Sequence, residues 1–183
     1  PRGSRGAGRS SADPARLMVV DTEPVFAAGA VAILTAAGFS PVLLDPGGPP
    51  VVDQVRAARP RGLVLDSAVG SRPYADDLVL DVVAAVPDIA VVVLVRRAQS
   101  AGLLAAMEAG ARALAPRDCA PEELVAAVVA AVGDQNWVAS GLSTVLRGEL
   151  LAEVSGQSPV ELSVRELEVL RVLATGATNN QIG

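Results

Sequence analysis

The chain contains neither histidine nor lysine: all fifteen of its basic residues are arginine. Without histidine it lacks the usual general base near neutral pH and the commonest metal ligand, which argues against most hydrolase chemistries. The lone cysteine, Cys119, excludes an internal disulfide. Although Arg117 is near, Cys119 reads as an inert loop-to-helix thiol rather than a redox sensor. Aromatic residues make up 2% of a chain that is 51% hydrophobic, so the core has to be built from Val, Leu, Ala and Ile. The longest apolar runs, IAVVVLV and LVAAVVAAV, are too short to span a bilayer, and no charged-then-apolar signal opens the chain. A cytoplasmic protein without membrane contact is expected. The formal net charge of −5 means that this piece should not hold nucleic acid non-specifically.

What is present is alternation. Short apolar runs of strand type are followed by stretches of helical pattern, and two of those runs, LMVV and GLVL, are each followed directly by an aspartate, Asp21 and Asp66. The spacing predicts strands over Leu17–Val20, Pro41–Leu44, Gly62–Leu65, Ile89–Val95 and Arg112–Ala115. Helices are expected over Pro24–Ala37, Val51–Arg59, the stretch through Val86, Ser100–Ala109 and Glu122–Val132. Five βα units of this length make one doubly wound α/β domain, whose chemistry sits at the carboxyl tips of its strands. Two carboxylates at neighbouring tips would share a pocket suited to a cation or to phosphoryl transfer. The turn Pro46–Pro50 lacks phosphate-cradle spacing and is given no nucleotide role.

Residues 1–14 read as a disordered lead-in whose first four residues resemble a tag scar, 15–133 as the α/β domain, and 134–158 as a linker with a helix over Leu142–Val154. Residues 159–183 begin with two capping boxes, Ser163 with Glu166 and Thr178 with Gln181. Leu167 and Leu170 lie on the apolar face of the first helix. Two capped helices across a tight turn read as the start of a helix-turn-helix, whose second helix is cut after Gly183.

The segments RLMVVDTEP, RPRGLVLD, VPDIAVVVLV and EAGARALAPRDCAPEEL, in that order, resemble the receiver domain of NarL/FixJ-type response regulators. ELSVRELEVLRVLATGATNNQIG is similar to the opening of their LuxR-type helix-turn-helix. The resemblance implies a flavodoxin-like (βα)5 receiver with parallel strand order 2-1-3-4-5. It places Asp66 at the phosphoacceptor position and Asp21 at the first of two metal-binding acids, so Asp21 and Asp66 are what remains of a magnesium site. The rest of that pocket departs from the family. Thr22 stands in place of the second acid, Val95 in place of a Thr or Ser, Leu114 in place of an aromatic residue and Arg117 in place of a lysine.

The substitutions suggest a dismantled switch. Magnesium requires close oxygen ligands near octahedral geometry, which a Thr hydroxyl supplies poorly. A hydroxyl bonded to a charged phosphoryl group contributes about 1.5–3 kcal/mol, and Val95 cannot donate one. Arg117 is expected to bridge Asp66 and Asp21 in place of lysine and cation together; Arg96 and Arg97 either do the same or remain solvated. The leading expectation is a transcriptional regulator, not an enzyme, that holds no cofactor and binds DNA only as a full-length protein. Pairing as a homodimer or heterodimer is expected, since helix-turn-helix regulators read paired half-sites. Two alternatives stay open. One is a conventional regulator phosphorylated on Asp66 by a histidine kinase; the other is a pseudo-receiver sensing a small molecule near Thr22, Val95 and Leu114.

Overall fold

The computed structural model describes residues 14–45, 47–69, 76–96 and 102–156, with the side chain of residue 76 excepted. Strands β1 (Arg16–Val20), β2 (Ser40–Leu43), β3 (Gly62–Asp66), β4 (Ala90–Val95) and β5 (Ala113–Pro116) alternate with helices α1 (Pro24–Ala36), α2 (Val51–Ala58), α3 (Asp76–Ala85), α4 (Leu103–Ala109) and α5 (Pro121–Val132). A two-residue strand β6 (Trp137–Val138) and a long helix α6 (Ser140–Gly156) follow. The sheet is parallel with order β2-β1-β3-β4-β5-β6, so the expected 2-1-3-4-5 flavodoxin-like arrangement holds and gains one edge strand.

Strands covered by helices on both faces need no polar side, and β3 and β4 are buried at every residue. Their Val and Leu side chains share one continuous core with buried residues of α1, α4 and α5, and that core extends to Leu142, Leu146 and Leu150 of α6. Proline opens both α1 and α5, where its fixed φ suits the first turn and its missing N–H costs nothing.

The register decides where the chemistry lies. Val20 pairs with Leu65, Asp66 with Leu94 and Val95 with Pro116, so four strands end level with one another. Asp21 follows the end of β1, Asp66 ends β3, Arg96 follows β4 and Arg117 follows β5. Two acids and two bases are thereby delivered to one edge of the sheet.

Gly110 closes α4 with φ +118°, and a Cβ there would lie 2.9 Å from Cγ2 of Val83. Strain and overlap act together at this point. Gly110→Ala is therefore expected to lower unfolding stability by about 2 kcal/mol in a denaturant titration. A change under a few tenths would contradict the packing described.

Candidate functional site

Asp66 is fully buried, at 0% exposure. An ionised carboxylate in that position needs its lone pairs filled. Its Oδ1 accepts from the Ala68 backbone N–H at 3.2 Å and Arg96 Nε at 3.4 Å. Its Oδ2 accepts from Arg96 Nη2 at 2.8 Å and from the Thr22 hydroxyl at 3.1 Å. The Thr22 oxygen in turn accepts from Arg96 Nη2 at 3.0 Å, so the arginine grips the acid both directly and through the hydroxyl. Burial by itself would raise the Asp66 carboxyl. The Arg96 hydrogen bonds, the Ala68 amide, the Arg96 charge and the Thr22 hydroxyl together overcome it, and the group sits below the usual carboxylate value. Arg96 is correspondingly held above the ordinary guanidinium value, chiefly by its hydrogen bond to Asp66.

Asp21 is paired with the other arginine. Arg117 donates from Nη2 to Oδ1 at 2.7 Å and from Nε to Oδ2 at 3.1 Å, a two-point fork, and the Glu23 backbone N–H adds 2.7 Å to Oδ1. The Phe26 ring stacks on the guanidinium with 4.0 Å between Arg117 Cζ and the ring centroid. Burial alone would lower the Arg117 value, but its bonds and charge contacts with Asp21, Asp66 and Glu23 raise it on balance. Glu23 links the two pairs, accepting from Arg96 Nη1 at 2.8 Å and from Arg117 Nη1 at 3.2 Å. The result is one network of three carboxylates and two guanidiniums.

The single bridge expected of Arg117 is divided between two side chains. Arg117 serves Asp21 and approaches Asp66 only to 4.0 Å, while Arg96 takes Asp66. The solvated alternative for Arg96 is thus replaced by an ion pair; Arg97 lies outside the described residues. Val95 and Leu114 are sealed in the core at 1% and 0% exposure. An apolar crevice of about 260 Å³ is lined by Phe26, Gly29, Ile33, Arg117 and Cys119 among others. Cys119 is pushed up to about 11 by burial and then by the charges of Glu123 and Asp118, so its thiol stays protonated near neutral pH. Residues Ser163, Glu166, Leu167, Leu170, Thr178 and Gln181 lie outside the described residues.

These donors do not fit a resident magnesium ion. The ion would need the carboxylate oxygens that now accept N–H bonds, at about 2.0–2.1 Å and free of cationic neighbours. Among the described residues no group of three or more His, Cys, Asp or Glu side chains is placed to hold a metal. Glu23 and Phe26 escaped the sequence reading. The signal available was positional: Glu23 is two residues past Asp21 and opens α1, and Arg96 follows β4 as Arg117 follows β5.

No protein-family model and no curated protein matches the chain. Solved structures do. A LuxR-family two-component response regulator from an Aurantimonas species superposes with a TM-score of 0.66 at 22% identity, covering 75% of this chain and 99% of that one. The response regulator ChrA of a heme-sensing two-component system matches at TM-score 0.56 and 26% identity, over 93% of this chain and 80% of that chain. RcsB of Salmonella typhimurium matches at 0.64 and 18%, over 91% and 80%. The chain has the fold of a response-regulator receiver.

Arg96→Met strips the buried Asp66 of its charge partner. An expected loss of about 2–3 kcal/mol follows, less than for a fully enclosed pair because Arg96 is partly exposed. The sign with pH is fixed by the lowered Asp66 value. The wild-type pair stabilises above the unfolded carboxylate value and loses that contribution as pH falls through the lower folded one. The stability gap between wild type and variant should accordingly narrow below about pH 4. A gap that widens in acid would refute the pairing.

Proposed function

We propose that the chain is a transcriptional regulator of the response-regulator class whose receiver works without aspartyl phosphorylation. The observation that supports this reading is the double arginine pairing: Arg96 on Asp66 and Arg117 on Asp21, with Glu23 spanning both. In the family's terms, a fixed guanidinium stands where a diffusible cation and a phosphoryl group would arrive and leave. A phosphoryl donor approaching Asp66 meets a carboxylate whose lone pairs are engaged and a pocket with one more acid than base. Val95 and Leu114 offer such a group no polar contact.

The receiver then acts as a docking platform, through protein contact or another signal, for a LuxR-type helix-turn-helix that opens over residues 159–183. DNA is read by that element in the full-length protein, as a dimer on paired half-sites. The linker assignment changes in character, because α6 joins the receiver's own core through Leu142, Leu146 and Leu150. A conventional regulator phosphorylated by a histidine kinase is the second reading; the similarity to ChrA, named for a two-component system, favours it.

Incubation with acetyl phosphate and magnesium, followed by mass spectrometry of the peptide carrying Asp66, separates the two. An unmodified peptide is expected. Stoichiometric, magnesium-dependent labelling would establish the conventional regulator instead. As a converse, the combined variant Thr22→Asp, Arg96→Ser, Arg117→Lys restores the missing acid and removes the forks, and calorimetry should detect magnesium binding to it but not to the wild type.

A further inference from the structure

Helix α1 and the start of α5 leave an opening between them. Phe26, Gly29 and Ile33 of α1 line a crevice of about 260 Å³, with Leu94 of β4 and Leu124 of α5 on its other walls. Leu94 and Leu124 are buried, whereas Val25, which also lines the crevice, is 89% exposed. The space therefore runs from solvent down to the sheet. Gly29 contributes to its emptiness. Glycine inside a helix is less stable than alanine, yet a Cβ at this position would meet nothing within 4 Å. Its φ is not positive either, so neither crowding nor backbone conformation calls for glycine here.

The charges around the crevice restrict what can enter it. Arg117 is its one basic side chain, and each guanidinium nitrogen already donates to a carboxylate: Nε and Nη2 to Asp21, and Nη1 to Glu23. Glu122 and Glu123 occupy the first turn of α5, and Asp118 precedes Cys119. An anion would lose its hydration and meet carboxylates; a cation would lose its hydration and meet Arg117. A neutral apolar molecule escapes both costs. Size narrows the class further. A dry apolar cavity of about 150 Å³ takes benzene, so this larger one suits roughly two fused rings. A stable protein partner needs about 800 Å² on each side, far more than one such crevice offers.

We propose that the crevice between α1 and α5 is a binding site for a small, uncharged aromatic molecule. Its occupant lies against Phe26 and Arg117, whose stack backs the fork on Asp21. The site stands on the crevice and its charges. Its service as the receiver's non-phosphate signal rests on the reading given under Proposed function.

Indole and indole-3-acetate, which share a ring system and differ in charge, test the site on the intact chain by calorimetry. Indole should bind with one-to-one stoichiometry, and indole-3-acetate about tenfold or more weaker. Cys119 is the only thiol and lines the crevice, so saturating indole should slow its alkylation by iodoacetamide about tenfold. Gly29→Leu fills the space and should abolish both binding and protection while thermal unfolding remains cooperative. Gly29→Ala, which takes up less of it, should fall between. No binding of indole, binding that leaves Cys119 unprotected, or equal affinity for the anion would each overturn the proposal. So would a monomer–dimer equilibrium in sedimentation that Gly29→Leu abolishes and indole leaves untouched, because a second copy would then fill the crevice. Magnesium-dependent labelling of Asp66 would sink the phosphate-independent reading without changing indole binding or Cys119 protection, so the two failures remain distinguishable.

Discussion

A carboxylate at the end of a fully buried central strand must be compensated or neutralised, and the surroundings of Asp66 answer that constraint. Removing an ion from water costs several kcal/mol, recovered only when charge and hydrogen bonding are both supplied. Here Arg96, Thr22 and the Ala68 amide supply them from within the chain. Arg117 does the same for Asp21, with Phe26 against its face. The rest of the site follows from those pairs, including the bridging Glu23 and the unsuitability for magnesium.

The difference between a guanidinium and a diffusible cation is one of permanence. A bound ion can be diluted away, and its site responds to concentration. An arginine is tethered and stays charged across all ordinary pH, so its occupancy is set only by the geometry of the backbone that carries it.

Much of the architecture was legible in the sequence because period and punctuation agree. Apolar strand runs, helix-opening prolines and the glycines at 38 and 110 mark nearly every element within a residue or two. Asp21 and Asp66 could be placed at neighbouring tips for the same reason. The partner of each acid could not. Arg96 and Arg117 follow adjacent strands, and which guanidinium reaches which carboxylate depends on side-chain direction, which spacing does not encode. Glu23 was hidden by its resemblance to an ordinary helix-opening acid. Strand β6 is two residues long, too short for an alternation to register, and becomes a strand only because β5 offers an edge: the Trp137 N–H bonds the Arg112 carbonyl and the Ala139 N–H that of Leu114. The stripe Leu142, Leu146, Leu150 signalled an amphipathic helix without revealing that its partner was the receiver itself.

Trp137 deserves its place in β6 for a further reason. It is the chain's one tryptophan, 6% exposed, three residues ahead of α6 and hydrogen-bonded into the sheet edge. With a single indole and one tyrosine in the whole chain, ultraviolet emission reports almost wholly on that junction. The molecule thus carries its own fluorophore at the sheet edge that leads into α6, and changes there can be followed optically without attaching a dye.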